Sequence, residues 1–372
     1  MTCREWPMGE AITPEPVLVI AEAGVNHNGR PDWAFQLIEV AAQAGADVVK
    51  FQTFRADCLV TADAPKAAYQ QRATGAGESQ LAMLRRLELP AALHRELKKH
   101  AEQRGLRFLS TAFDEPSLRL LVDELGLTLL KIPSGELTNA PFLLQHARSG
   151  AELIVSTGMA TLADVEQALG VIAFGRIAGA QERPGPAAFR AAYASPEGQA
   201  ALRHGVTLLH CTSDYPAVAE AVNLRAMDAM AAAFGLPVGY SDHTLGIEVA
   251  LAAVARGARV LEKHFTLDRT LPGPDHAASL EPPELARLVA GVRTVSAALG
   301  DGIKRPQPAE PATAAVARKS LVARRAIRAG QVLGAEDVAV MRPGTGMSPM
   351  AYWDVIGRAA SRDYAAGDLL DE

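Results

Sequence analysis

Two histidines, His243 in Ser241-Asp-His-Thr244 and His264 in Val260-Leu-Glu-Lys-His-Phe265, end short runs of strand-forming residues. Side chains alternate along a strand, so His264 shares a face with Glu262 while Lys263 points away, and His243 shares one with Ser241. Two imidazoles converging at the open end of a parallel barrel would hold a divalent cation, leaving positions for water and a substrate oxygen; the competing reading is a pair of packed core histidines. Lys50 and Gln52 share a face in Val48-Val-Lys-Phe-Gln-Thr53, and Lys131 ends another run before Pro133-Ser-Gly-Glu136. Lysines at matching strand ends would gather positive charge for a phosphate or carboxylate, unless each only packs its stem and reaches for solvent. Glu22, in Ile20-Ala-Glu-Ala-Gly-Val-Asn-His-Asn-Gly29, reads as a general base or as a partner for Lys50. Both can hold, because a buried carboxylate needs pairing. Asn26, Asn28 and Gly29 suit a turn, and His210, facing away from Cys211 and Ser213, is assigned to packing.

Eight strand-like runs must position these groups: Val17–Glu22, Asp47–Gln52, Arg107–Thr111, Thr128–Ile132, Leu153–Thr157, Val206–Cys211, Pro237–Ser241 and Arg259–His264. Amphipathic helical stretches alternate with them, which predicts a (β/α)₈ barrel over residues 1–300. Thr161-Leu-Ala-Asp164 before Val165–Leu169 reads as a capping box. Two connections exceed a minimal barrel's: 57–90, with Tyr69-Gln-Gln-Arg-Ala-Thr-Gly75, reads as a lid beside the second strand, and 170–205 as an insertion before the sixth. Residues 301–317 are proline-rich and predict a linker. The tail, 318–372, reads as short strands and turns, too small to stand without docking.

At 372 residues there is room for the barrel and one small domain. A net charge of −5 with no long basic run argues against nucleic acid or an anionic membrane as partner. The N-terminal residues lack a signal peptide's apolar core and no apolar stretch is long enough to span a bilayer, so a cytoplasmic location is expected. Cys3, Cys58 and Cys211 are odd in number and far apart, which disfavours a disulfide framework or a cysteine-built zinc site.

Together these residues resemble the sialic acid synthases. The resemblance runs from Val19 to about Leu370 through Ala21-Glu-Ala-Gly-Val-Asn-His-Asn-Gly29, Val49-Lys-Phe-Gln-Thr-Phe54, Lys131-Ile-Pro-Ser-Gly-Glu136, Ser156-Thr-Gly-Met-Ala160, His210-Cys-Thr-Ser213, Gly239-Tyr-Ser-Asp-His-Thr244, Glu262-Lys-His-Phe265 and Pro272-Gly-Pro-Asp275. The tail, with Arg342-Pro-Gly-Thr-Gly346, resembles the antifreeze-like (SAF) domain that closes these enzymes. The resemblance implies condensation of phosphoenolpyruvate with N-acetylmannosamine and water to give N-acetylneuraminate and phosphate. A diacetamido-trideoxyhexose, leading to legionaminic acid, is the alternative acceptor. It implies a divalent metal on His243 and His264, usually manganese, with magnesium or cobalt as alternatives. Phosphoenolpyruvate would be held by Lys50, Thr111, Lys131, Ser134, Ser213 and Ser241, and Glu22 would be the catalytic acid/base. Some members carry Asn where Ser213 stands, a longer reach to phosphate. The sugar would meet Gln52, Glu136, Tyr215, Asp275 and, in a domain-swapped homodimer, the partner's Arg342.

Two other classes compete. A Schiff-base aldolase also uses strand-end lysines, but alternation turns Lys263 away from Glu262 and His264. A carbohydrate- or ice-binding module would need a flat repeat, and Ala326-Ile-Arg-Ala-Gly-Gln-Val-Leu333 has none.

Overall fold

The computed structural model describes residues 16–75, 77–179 and 181–371; Cys3 lies outside them. Eight parallel strands close into a barrel: β1 Leu18–Gly24, β2 Val48–Thr53, β3 Arg107–Ala112, β4 Leu129–Ile132, β5 Glu152–Ser156, β6 Val206–Cys211, β7 Val238–Asp242 and β8 Val260–His264. Each pairs with its neighbours in sequence and β1 closes on β8. The sequence boundaries hold to within one or two residues because strands buried on both faces are near-continuous apolar runs.

One alternation explains both barrel and site. Ile20, Val48, Leu109, Leu129, Ile154, Leu209 and Val260 form one buried apolar cluster, separate from the larger cluster that the intervening residues build with the helices. Two residues farther along each strand, on the same face, stand Glu22, Lys50, Thr111, Lys131, Ser156, Cys211 and Glu262. A polar layer therefore rests on an apolar floor. In β7 the floor position is Gly239, where a Cβ would sit 2.3 Å from Val260 O and 2.6 Å from Leu209 Cδ2, so only glycine fits. Its polar-layer partner is Ser241.

The long connections are more ordered than the sequence suggests. Segment 57–90 carries helices Ala68–Thr74 and Gln80–Leu87. The insertion expected from Gly170 starts later, because the helix opened by the Thr161–Asp164 capping box runs over Leu162–Ile177. Its glycines are contact points rather than breaks: a Cβ at Gly175 would lie 2.5 Å from Ala147 Cβ, and one at Gly170 3.0 Å from Phe189 O. Helices Pro186–Ala194 and Pro196–Gly205 complete the insertion, each with proline in its first turn.

Contacts divide the chain after Asp301. In the second unit β9, Ser320–Ala323, pairs antiparallel with β10, Val338–Met341, over a small core that includes Leu321, Ile327, Leu333 and Tyr364. The stretch 301–317, expected as a proline-rich linker, holds the helix Pro311–Ala317, with proline again at its start, and Gly344 N donates to Ala315 O. No helix among the described residues is long and apolar enough to cross a membrane.

Candidate active site

Strand register assembles the charged cluster. Glu22 lies opposite Lys50 on one side and His264 on the other, Thr111 opposite Lys131, and Ser241 between Cys211 and Glu262. Lys50 Nζ stands 2.7 Å from Glu22 and 3.6 Å from Glu262, and donates to Thr111 Oγ1 at 3.1 Å. Lys131 pairs with Glu262 at 3.2 Å, and Ser241 Oγ donates to the same carboxylate at 3.0 Å. Glu22, Lys50, Thr111, Lys131, Ser241 and Glu262 are all buried. Burial pushes the Glu22 carboxyl up to about 7 despite Lys50. For Glu262 burial is outweighed by Lys131 and Lys50, which hold it below the usual carboxylate range. Two carboxyls in one site thus separate into a fixed anion and a group able to take and return a proton near neutral pH.

The histidines meet as their faces require. The ring centroids of His243 and His264 are 5.5 Å apart. Burial lowers both below the ordinary histidine value, and the neighbouring His243 lowers His264 further. His243 Nδ1 donates to Thr212 O at 2.7 Å, which leaves Nε2 with its lone pair. His264 Nδ1 is buried without a hydrogen-bond partner, 3.8 Å from Asp275. Neutral imidazoles with unused lone pairs fit a divalent ion, and the backbone bond to His243 is the support such ligands usually have. No cluster of three or more His, Cys, Asp or Glu suited to a metal occurs among the described residues, so a divalent ion here would have the two imidazoles as its side-chain donors.

Around this centre runs a cavity of about 480 Å³ lined by Glu22, Lys50, Gln52, Thr111, Lys131, Ser134, Glu136, Ser213, Tyr215, Ser241, His243, His264 and Asp275. Those are the site residues anticipated from the sequence, with one exception. Arg342 belongs to the second unit, where it is exposed and its Nε donates to Ala317 O. The hydroxyls gather about Gly158, whose N–H donates to Ser134 Oγ at 2.9 Å; a Cβ there would lie 2.2 Å from Ser213 Oγ, 2.8 Å from Ser134 Oγ and 2.9 Å from Cys211 Sγ. Tyr215 packs against His243 with centroids 4.2 Å apart and planes tilted by 35°, and meets His264 edge-on at 5.8 Å. Burial raises Asp275 to about 6.

Lys263 turns outward, pairs with Asp242 at 2.7 Å and also donates to Thr244 O. This removes it as a nucleophile. His210 leaves the cluster, its Nε2 bonded to Val222 O. Asn26 bridges the first and eighth loops through Phe265 O and Ser279 Oγ, while Asn28 and Gly29 take the left-handed turn, with φ of 50° and 73°. Sequence reasoning passed over Glu262, Ser156 and Cys211 as site residues, although the two-residue step from the apolar floor marks all three. It also passed over Tyr69, which lines the cavity from the lid.

The family model described as the NeuB family matches residues 37–304, and the SAF domain model matches 318–372. The chain belongs to the NeuB family. Among members of the NeuB family, it is 46% identical over 355 residues to the N,N'-diacetyllegionaminic acid synthase of Campylobacter jejuni, covering 95% of this chain and 99% of that one. It is 42% identical over 364 residues to the N,N'-diacetyllegionaminic acid synthase of Legionella pneumophila, covering 98% and 95%. A solved N-acetylneuraminic acid synthetase from Leptospira borgpetersenii, in complex with citrate, superposes with a TM-score of 0.64 at 32% identity, covering 80% of this chain and 90% of that one.

Proposed function

We propose that this NeuB-family synthase condenses phosphoenolpyruvate with a diacetamido-trideoxyhexose and water, giving N,N'-diacetyllegionaminic acid and phosphate. The observation that carries the reaction is the pairing of Lys50 with Glu22 and of Lys131 with Glu262, beside a ring of hydroxyls on one barrel level. The acceptor is read from the relatives: those named as diacetyllegionaminic acid synthases share 46% and 42% identity, against 32% for the N-acetylneuraminic acid synthetase. This moves the preference from N-acetylmannosamine, the first expectation, to the alternative. A phosphorylated sugar fits less well, because Lys50 and Lys131 are the cations lining the cavity among the described residues and the donor's own charges engage them.

In this reading Lys50 and Lys131 exchange carboxylate partners for the substrate's anionic groups, with Thr111, Ser134, Ser213 and Ser241 as neutral donors. The methylene carbon of phosphoenolpyruvate bonds to the aldehyde carbon of the open-chain sugar, whose oxygen takes up a proton and becomes a hydroxyl. The cation left at the phosphate-bearing carbon bonds to water, which gives a proton to Glu22. The bond from that carbon to the phosphate's bridging oxygen then breaks, phosphate leaves, and the remaining hydroxyl loses its proton as the ketone forms. Glu262, held anionic, steadies the developing positive charge. A divalent ion bound by His243 and His264, manganese being the expected one, would polarise the aldehyde oxygen. Gln52, Glu136, Tyr215 and Asp275 remain for the sugar, and the reading adds the partner's Arg342 in a homodimer.

The test is phosphate release with phosphoenolpyruvate and a panel comprising the diacetamido-trideoxyhexose, N-acetylmannosamine and its phosphate ester. The diacetamido sugar should give the highest kcat/KM. A higher value for N-acetylmannosamine would restore the other acceptor, and no release with any would end the reading.

A further inference from the structure

The lid is a built object, and its construction bears on selectivity. Lys66 is buried within it and its ammonium donates to Thr74 Oγ1 and Gly75 O, each at 2.9 Å, and to Glu78 at 3.3 Å. Glu78 also binds Arg86 at 2.7 Å, so one carboxylate links the end of helix Ala68–Thr74 to helix Gln80–Leu87. Met83 and Leu87 pack with Val25 and Phe54 at the barrel rim. The carbonyl of Arg86 approaches Gly29 so closely that a Cβ there would lie 2.1 Å away, which fixes the lid to the β1 turn.

The consequence falls on Tyr69, in the first turn of helix Ala68–Thr74. Its ring stacks on Tyr215 with centroids 4.8 Å apart and planes 28° apart, and Tyr215 in turn packs against His243. Burial and then the Asp275 carboxylate raise the Tyr69 phenol, so it stays a neutral hydrogen-bonding group. Beside it the lid contributes Ala67, Gln70 and Gln80, all uncharged. An aromatic pair flanked by amides offers stacking surface for methyl groups and partners for amides, and offers a charged or heavily hydroxylated substituent little.

We propose that Tyr69 is a specificity-determining residue that reads the non-reacting end of the acceptor, receiving its second acetamido group and deoxy carbon against the Tyr69–Tyr215 pair, with Lys66 as the positioning residue that holds the lid in place. This rests on the acceptor proposed above. Removing one apolar contact from a pocket changes discrimination by about 10- to 200-fold. Tyr69→Ala should therefore lower kcat/KM for the diacetamido sugar about 10-fold or more relative to N-acetylmannosamine, with the KM for phosphoenolpyruvate unchanged. Tyr69→Phe, which keeps the ring, should restore most of the ratio, and Lys66→Met should lower it as Tyr69→Ala does. A wild-type preference for the diacetamido sugar with an equal loss on both acceptors in Tyr69→Ala would overturn this inference alone. A wild-type preference for N-acetylmannosamine would overturn the acceptor reading and this inference with it.

Discussion

Replacing Glu22 by Gln keeps the shape of the site and removes its one carboxyl raised to about 7. If Glu22 activates the water, kcat should fall on the order of 100-fold or more, with a smaller change in affinity for phosphoenolpyruvate. The pH profile is more discriminating. Wild-type kcat/KM should rise through a pH near 7 as Glu22 ionises. The substrate phosphate titrates lower, near about 6, and should be the main limb left in the variant. Stability gives an independent reading. A carboxyl that holds its proton more tightly folded than unfolded costs stability progressively as pH rises from the ordinary 4.5 to about 7. At about 1.4 kcal/mol per pH unit the full cost is about 3 kcal/mol. Urea denaturation across that window should show a decline with rising pH in the wild type that is reduced in Glu22→Gln, partly offset by the weaker partner left for Lys50. A limb near 7 that survives in the variant would refute the reasoning and move attention to Asp275.

Four further outcomes test the remaining assignments. His243→Ala or His264→Ala should abolish turnover and calorimetric manganese binding while the fold persists, because a site of two imidazoles cannot spare one; full activity after chelator treatment would refute the metal reading. Gly158→Ala forces Ser213, Ser134 and Cys211 apart and should cost on the order of 100-fold in kcat/KM, with the loss concentrated in the KM for phosphoenolpyruvate. Lys263→Met leaves Asp242 buried without its cation and should lower unfolding free energy by about 3 to 5 kcal/mol; a loss under about 1 would mean the pair is solvated. Mixing inactive Arg342→Ala chains with inactive His264→Ala chains should recover activity if the partner's Arg342 completes the site, and no recovery in verified mixed dimers would place its action elsewhere.

The barrel was legible because its signals are local. Strands buried on both faces are apolar runs, and β6 appears over Val206–Cys211, the same residues read from the sequence. The cavity residues were legible because alternation and strand ends decide which side chains share a level. What escaped was set by contacts distant in sequence. The insertion was expected to begin at Gly170, yet Gly170 and Gly175 admit Phe189 and Ala147 against a helix that runs on to Ile177. Pro311 read as linker and instead starts a helix. Tyr69 could not be placed, since its position depends on Lys66 folding the lid around itself and on Gly29 admitting Arg86.

The central claim is that carbon, not phosphorus, receives the water. Turnover of phosphoenolpyruvate with the diacetamido-trideoxyhexose in water enriched in heavy oxygen tests it, with the released phosphate analysed by mass spectrometry. The released phosphate should be unlabelled, because the bridging oxygen leaves with it. Phosphate carrying one heavy oxygen would mean that water attacked phosphorus, and would contradict the role given to Glu22 and the order of bond changes built on it.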